Sequence, residues 1–408
     1  IIGDYDVDGV TSSHLFLTAL RRVGAKVDVV IPHRIQDGYG LSLHLLQQAK
    51  EDGVDTILTC DNGIAAIDEI AWAKAQKMTV LVTDHHAVPF EEHEGRRTEK
   101  KSLADAVVNP HQQDCGYPYK ELCGAGVAWN VIRVLYENYD MDKREAEDLL
   151  DFVAMATVCD VMSLTGENRI LVKEGLKRIR HTKNIGLQAL MQACNVQPEN
   201  ISAYHFGYVL GPCVNATGRL DTARHALRLF ETGQETEAEE IARDLVDLNQ
   251  ERKELTLQGV EMAKKLCEEG GYENDPVLVL FLPDVHESIA GLIAGRIREM
   301  YNRPVFVLTR GEEGVKGSGR STENYSMYEN MCGCVELFTK FGGHPMAAGL
   351  SLPEENVEKF RRKINENCPL TVEEVCPDIH IDMAMPVGYA STELVHQFAL
   401  LEPFGKDN

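Results

Sequence analysis

The sequence predicts an α/β protein in which a doubly wound, mostly parallel sheet domain is joined by a long helix to a second, smaller α/β domain. Three observations lead there. Short β-branched runs alternate with helical stretches as far as about residue 160. A charged segment, 234–269, carries Ile241, Leu245, Leu248, Leu255, Leu257 and Met262 roughly at helical spacing. A second alternation of strand-like and helical runs comes after it.

Predicted strands fall at 1–2 onward, 26–32, 56–60, 79–83 and 106–109, separated by helices at 11–23, 42–52, 65–76 and 126–139. Residues 145–230 read as mainly helical. The segment 234–269 is open to two readings, a coiled coil of few heptads or a helix bridging two domains. Beyond it come a strand at 277–282, a helix at 289–301, a strand at 305–308 and a hairpin around Gly314. A helix at 327–340, broken by Gly342-Gly343, and an extended run at 346–352 complete the second unit. The tail contains one alternating strand, 378–382, and ends in Glu402-Pro403-Phe404-Gly405, with too little apolar sequence for a core of its own. It reads as the truncated start of a third domain. The expected domains are therefore 1–230, a connecting helix at 231–272, a second domain at 273–367, and 368–408.

Composition bounds the function. At 408 residues, 44% apolar and 26% charged, the chain is long enough for two or three domains with sizeable cores and is neither disordered nor fibrous. No run of 18 apolar residues occurs, so no membrane span is predicted. No signal peptide is visible, and Ile1 already lies in a predicted strand, so the natural chain is expected to begin earlier. The 11 cysteines lack metal-type Cys-x-x-Cys spacing, which predicts buried, reduced thiols and a cytoplasmic protein. A net charge of −23 argues against nucleic-acid binding by the whole surface. Within it, 169–228 holds nine Lys or Arg against three Asp or Glu, either a solvated helix face or a local electrostatic guide.

The chemistry gathers where strands end. Asp4-Tyr5-Asp6-Val7-Asp8-Gly9, Cys60-Asp61-Asn62-Gly63 and Thr83-Asp84-His85-His86 each follow an apolar β-branched run, and Cys159-Asp160 ends a helix-like one. Ligands bind outside the carboxyl ends of strands in open α/β sheets, and carboxylates gathered there repel one another unless a cation neutralises them. An EF-hand calcium loop is excluded, because Leu15 stands where its twelfth-position Glu is needed. Gly9 is expected to end the first strand, with Asp6 and Asp8 curling around its tip and Asp4 orienting them. Asp61 and Asp160 taken singly also fit helix caps. Adjacent His85 and His86 point in opposed directions, so one can ligate while the other supports it or meets substrate oxygen. Five or six oxygens with one imidazole suit Mn²⁺ or Mg²⁺ rather than zinc or copper. Two such ions, ~3.5–4 Å apart, activate water and stabilise both oxygens of a displacement at phosphorus. Hydrolysis of a phosphoester or phosphoanhydride is the predicted reaction class.

These four clusters resemble the signature motifs of the DHH phosphoesterase superfamily. Pro32-His33-Arg34, Gly38-Tyr39-Gly40-Leu41, Val108-Asn109-Pro110-His111 and Leu122-Cys123-Gly124-Ala125-Gly126-Val127-Ala128 narrow the likeness to the RecJ family of single-strand-specific DNA exonucleases. So do Asn215-Ala216-Thr217-Gly218-Arg219-Leu220, Gly317-Ser318-Gly319-Arg320-Ser321, Phe341-Gly342-Gly343-His344 and Ala347-Ala348-Gly349. The resemblance implies 5′-to-3′ release of mononucleotides from single-stranded DNA in repair and recombination. It implies Asp6, Asp8, Asp61, His85 and Asp160 as Mn²⁺ or Mg²⁺ ligands, with Asp4 beside them, and Asp84 and His86 as catalytic residues. Arg34 and Arg219 would hold a 5′ phosphate, with Asn109, His111 and Asn215 in the same phosphate-binding group; guanidinium forks suit that task. Ser318, Arg320 and His344 would track the DNA backbone, with Gly343 permitting its close approach. The same resemblance makes 273–367 a DHH-associated nucleic-acid-binding domain and the tail the truncated start of an OB-type domain. A crevice between the first two domains would admit one flexible strand. Single-strand-binding protein and recombination helicases would be its protein partners, through regions absent from this sequence.

Three other functions are weighed against this one. An oligoribonucleotide or cyclic-dinucleotide phosphodiesterase would share the four motifs. An inactive DNA-binding scaffold predicts gaps in the ligand set, and the set here is complete; an inorganic pyrophosphatase predicts a smaller, Lys-rich second domain. His33, His44, His205, His286 and His380 are given no role, and Cys332-Gly333-Cys334 offers only two ligands and reads as helix packing.

Overall fold

The first strand-to-acid transition turns into a helix sooner than the spacing predicts. In the computed structural model, which describes all residues except 35, 36, 39, 94, 95, 273, 274, 312, 313, 372–380 and 382, α1 (Val7–Arg22) begins inside the acidic motif. Asp6 is its N-cap, the side chain accepting from Gly9 N at 3.0 Å. The strands expected at 1–2 and 26–32 reduce to parallel bridges from Ile2 to Val30 and to Thr59. An acid-rich segment that caps a helix within four residues of Ile2 leaves no length for a strand.

The chain forms two units, residues 1–249 with 387–408, and residues 250–386. After α1, the first unit continues with α2 (Leu43–Glu51), β1 (Thr56–Cys60), α3 (Ile67–Ala75) and β2 (Thr79–Thr83). A hairpin of β3 (Phe90–His93) and β4 (Arg96–Glu99), absent from the sequence reading, precedes β5 (Ala106–Val108). β1, β2 and β5 form a parallel sheet in that order, with Thr56 opposite Thr79 and Leu81 opposite Ala106. Ile57, Val80 and Val82 face Leu45 and Leu46 of α2 and Ile70 and Ala73 of α3. Leu58 and Cys60 join the larger core on the other face, with Val10 and Phe16 of α1. Alternate side chains thus bury both faces, as a doubly wound sheet requires.

Seven helices come next: α4 (Gly124–Asn138), α5 (Leu150–Cys159), α6 (Gly166–Ile179), α7 (Ile185–Ala193), α8 (Ala203–His205), α9 (Gly211–Leu220) and α10 (Arg224–Glu231). A π-helical turn, Phe206–Leu210, links α8 to α9. The long helix α11 (Glu235–Glu269) gives Ala238, Ala242 and Leu245 to the first core and Val260, Ala263 and Cys267 to a core of the second unit.

The second unit contains β6 (Leu278–Phe281), α12 (Ala290–Tyr301), β7 (Val305–Gly311), β8 (Gly314–Arg320), α13 (Met327–Cys332), β9 (Lys340–His344), β10 (Ala347–Leu352) and α14 (Val357–Glu366). Its sheet runs β6-β7-β8-β10-β9, with β6 and β7 parallel and the remaining pairs antiparallel. The helix expected at 327–340 stops at Cys332, and residues 340–344 form an edge strand. Gly333 and the β-branched and aromatic residues Val335, Phe338 and Thr339 favour ending the helix there. Cys334 is buried and Cys332 exposed at that turn. Gly342-Gly343 therefore lies within a strand instead of breaking a helix. Gly343 needs to be glycine: its φ is +153°, and a Cβ would sit 2.5 Å from Ala347 O.

The tail carries α15 (Thr392–Phe398), capped by Ser391. Arg169 fastens the residues beyond that helix, its guanidinium donating to the carbonyls of Leu401 at 2.6 Å, Glu402 at 3.1 Å and Pro403 at 3.3 Å. The strand expected at 378–382 lies outside the described residues but for Ile381. Among the described residues no helix is long and apolar enough to cross a membrane, and no cysteine is in a disulfide.

Candidate metal centre

The ends of β1 and β2, the start of α1 and the end of α5 deliver their acids to one place. Asp4, Asp6 and Asp61 offer oxygens within 4.8 Å of one another, and Asp8, His85 and Asp160, and Asp61, His85 and His86, offer oxygens and imidazole nitrogens equally close. His85 Nε2 lies 3.1 Å from Asp61 Oδ1, 3.6 Å from Asp8 Oδ2 and 3.6 Å from Asp160 Oδ2. Asp4, Asp8, Asp61 and His85 are all buried.

Local backbone explains the convergence. Asp8 is in the first turn of α1, and its two oxygens accept from Gly124 N at 2.6 Å and Ala125 N at 2.7 Å, buried amides at the start of α4 that have no partner within the helix. A Cβ on Gly124 would stand 2.7 Å from Asp61 Cβ, so only glycine lets α4 approach. Asp61 has φ +61°, a left-handed conformation rare outside glycine; it is fixed by its own amide on Thr83 O at 3.1 Å and by Asn62, whose side chain donates to Ile2 O and Cys60 O. Val161, after Asp160, is also left-handed at φ +55°, an uncommon state for a β-branched residue.

The electrostatics call for a cation. Burial and then Asp6 push Asp4 well above the usual carboxylate range; burial and then Asp8 do the same for Asp61 and raise Asp6. Burial, with Asp8 and Asp6, pushes Asp160 to about 8. Burial lowers His85, keeping its imidazole neutral and able to ligate. Asp4 Oδ1 and His85 Nε2 are buried without a hydrogen bond. A set of hard oxygens with one neutral imidazole fits Mn²⁺ or Mg²⁺, and Asp4, Asp6, Asp8, Asp61, His85 and Asp160 are the residues that could hold it.

Asp84 does different work. Oδ2 accepts from Ile64 N at 2.9 Å, while Oδ1 accepts from His85 N at 2.7 Å, His86 N at 3.0 Å and His86 Nδ1 at 2.8 Å. Burial opposes its charge, but these bonds, led by the one from His86, hold Asp84 below the usual carboxylate range. In return burial of His86 is outweighed by Asp84, and its pKa is pushed up to about 9. His86 is 46% exposed, so a cation faces the solvent side of the acids.

Of the other predicted residues, Arg34 lies over the Tyr5 ring at 4.6 Å, and Arg219 acts electrostatically on the same phenol. Two residues predicted to bind phosphate, Asn109 and Asn215, hold backbone. Asn109 donates to His86 O at 2.9 Å and accepts from His111 N at 2.8 Å; Asn215 accepts from Val7 N at 3.1 Å at the start of α1. In the second unit Arg320 and His344 both pair with Ala347 across three strands, so they share a face about 10 Å apart. Ser318 is on that face, 3.2 Å from Arg320 Nη1. His344 Nδ1 accepts from Met346 N at 3.3 Å. The amides of Gly124 and Ala125 escaped the sequence reading; the small-residue run 122–128 was their only trace.

Comparison with known proteins agrees with this geometry. The DHH family, N-terminal domain, matches residues 1–157, and the DHHA1 domain matches 274–368. The single-stranded-DNA-specific exonuclease RecJ of Haemophilus influenzae is 38% identical over 384 residues, covering 90% of this chain and 65% of that protein. RecJ of Bacillus subtilis is 34% identical over 412 residues, covering 100% and 50%. The chain thus spans half to about two thirds of these relatives' length. Among solved structures, RecJ of Thermus thermophilus in complex with Mn²⁺ superposes with a TM-score of 0.82 at 30% identity, covering 100% of this chain and 57% of that one. An exonuclease RecJ bound to manganese superposes at 0.76 and 32% identity, covering 90% and 88%.

Proposed function

The chain belongs to the RecJ family, and on that premise we propose that it is a metal-dependent exonuclease that removes 5′-mononucleotides from single-stranded DNA in the 5′-to-3′ direction. The observation that carries this reading is the crowd of buried carboxylates around a neutral His85, four of them with raised pKa values. Such a site is relieved by divalent cations, and we assign Asp4, Asp6, Asp8, Asp61, His85 and Asp160 as the residues that hold Mn²⁺ or Mg²⁺. When bound, those ions would supply a hydroxide nucleophile at neutral pH and neutralise charge developing on the scissile phosphate.

The protein's own groups set the rest. Asp84 orients both histidines, and His86, cationic and half-exposed, is placed to pair with a phosphate oxygen or protonate a departing one. Arg34 and Arg219, both beside Tyr5, would receive the 5′ phosphate. Asn109, His111 and Asn215 support this machinery through the backbone. Ser318, Arg320, Gly343 and His344 would follow the DNA backbone from the second unit. We place the activity in cytoplasmic DNA repair and recombination, with single-strand-binding protein and recombination helicases as partners, testable by co-purification.

The direct test is Mn²⁺-dependent release of nucleotides from 5′-phosphorylated single-stranded DNA, beside duplex DNA, very short RNA and cyclic dinucleotides. Single-stranded DNA should be degraded from its 5′ end and duplex spared. Loss of dinucleotides with long DNA untouched would overturn the assignment in favour of a small-phosphodiester hydrolase.

A further inference from the structure

Beside Asp160 the first unit has a cavity of about 630 Å³ to which neither metal binding nor 5′-phosphate recognition assigns a role. Val161, Met162, Pro403 and Phe404 line it, together with Tyr204 and Tyr208. The two tyrosines stack on each other, ring centroids 5.2 Å apart and planes 24° from parallel, yet are 62% and 72% exposed. Two large aromatic rings held in register toward solvent are unusual for a surface that merely dissolves the protein. They stand at the π-helical turn Phe206–Leu210, a widened geometry that recurs at functional sites. Cys159 Sγ donates to Phe206 O at 3.3 Å, tying that turn to the residue before Asp160.

The rim is mostly cationic. Arg180 and Lys406 line the cavity against one acid, Glu402, and Lys406 acts electrostatically on Asp160. Both tyrosines and Arg180 belong to the basic stretch 169–228, in a chain of net charge −23. The turn and Arg219 sit at opposite ends of one helix, α9. A Cβ on Gly211 would touch Cys159 Sγ at 2.3 Å, and one on Gly218 would touch Tyr5 O at 2.3 Å, about 10 Å along α9. The cavity thus borders the acid cluster at the neighbours of Asp160, and Tyr5, with Arg34 and Arg219, borders it between Asp4 and Asp6.

We propose that this cavity is a nucleobase subsite, in which Tyr204 and Tyr208 stack a base of the single strand on the 3′ side of the cut while Arg180 and Lys406 hold its phosphates. The polarity rests on the proposed exonuclease function, with the 5′ phosphate at Arg34 and Arg219. Aromatic faces accept any base, so the subsite selects unpaired nucleic acid without selecting sequence, and a base held in a duplex stack cannot enter it.

The test uses the full chain and a 5′-phosphorylated oligodeoxythymidylate of roughly 12 nucleotides carrying 2-aminopurine at the second, third or fourth nucleotide, bound in EDTA so that nothing is cut. One position should be quenched on binding. Quenching should vanish in the Tyr204→Ala/Tyr208→Ala variant and survive in Tyr204→Phe/Tyr208→Phe, all with unchanged melting temperature because both rings are exposed. With Mn²⁺, KM for the long strand should rise ~5- to 150-fold in the alanine variant, the range stacking supplies, while KM for a 5′-phosphorylated dinucleotide stays put. If the double variant fails to fold, Tyr208→Ala alone is read the same way. No quenching at any position, quenching that survives alanine, or equal KM changes for both substrates overturns the subsite. Quenching by a protein that cuts no DNA would instead overturn the nuclease reading and leave the subsite standing.

Discussion

Replacing Asp84 by Asn removes one charge and converts an acceptor to a donor, and the structure fixes what each change costs. The carboxylate takes four hydrogen bonds, three on Oδ1 and one on Oδ2. An amide whose oxygen keeps the three bonds to His85 and His86 turns its NH₂ against Ile64 N–H, 2.9 Å away, so one buried bond becomes a donor facing a donor. That costs ~1–3 kcal/mol of stability. His86 loses the negative charge that raises its pKa to about 9; because the ring is 46% exposed, solvent screening holds this second loss to ~1 kcal/mol or less. The larger effect is on the metal site, because the turn that presents His85 rests on Asp84, and the lost charge and the clash with Ile64 N–H loosen it. Losing such a supporting bond raises the Mn²⁺ needed for half-maximal activity ~10- to 100-fold. Nuclease rate against Mn²⁺ concentration, with thermal melting in EDTA, measures both. Asp84→Asn should melt earlier and recover most of its rate at high Mn²⁺. A lost rate with unchanged Mn²⁺ dependence would refute this reasoning, because Asp84 would then act on the reaction itself.

Asp61→Ala should lower nuclease activity by orders of magnitude, yet leave melting in EDTA equal or higher, because it removes one of several mutually repelling buried acids; retained activity would point to a binding scaffold. Because Asp4, Asp6, Asp61 and Asp160 hold protons more tightly than ordinary carboxylates, Mn²⁺ must displace them: affinity should fall as pH drops below about 8, and calorimetry in buffers of different ionisation enthalpy should register proton release. His14 is buried against Phe152 and Phe230 with its pKa lowered to about 4. Its neutral form is favoured by the fold, so its contribution is intact above 6.5 and is lost as pH falls from 6.5 toward 4; at ~1.4 kcal/mol per pH unit the loss reaches ~3 kcal/mol. Denaturant melts of His14→Leu should lack that part of the pH slope. Gly124→Ala places a Cβ 2.7 Å from Asp61 Cβ, so it should weaken Mn²⁺ binding more than Gly126→Ala, whose nearest neighbour is a Leu122 methyl at 3.3 Å.

The centre was legible in sequence because its acids and histidines, at 4–8, 61, 84–86 and 160, each stand next to a recognisable strand or helix end. Their local geometry was less so. The first helix was expected only from residue 11, whereas Asp6 proved able to cap one from Val7, and periodicity favoured a helix through 340, where aromatic and β-branched residues complete a sheet edge instead. What Asn109 and Asn215 hold in the fold was not legible, since nothing local shows that one amide donates to His86 O and the other accepts from Val7 N–H.

Sequence alone determined the alternation of strands and helices, the long helix, and which acids and histidines gather, because these follow from side-chain period and residue type. Tertiary structure alone decided how they are held: two amides of α4 on Asp8, a left-handed Asp61, an ion pair between Asp84 and His86, and a stacked tyrosine pair beside Asp160. The α4 amides on Asp8 join residues distant in the chain, and Asp61 strains one backbone angle. The Asp84–His86 ion pair and the tyrosine stack join near neighbours whose rotamers the surrounding fold sets. All depend on packing forces that no local pattern records.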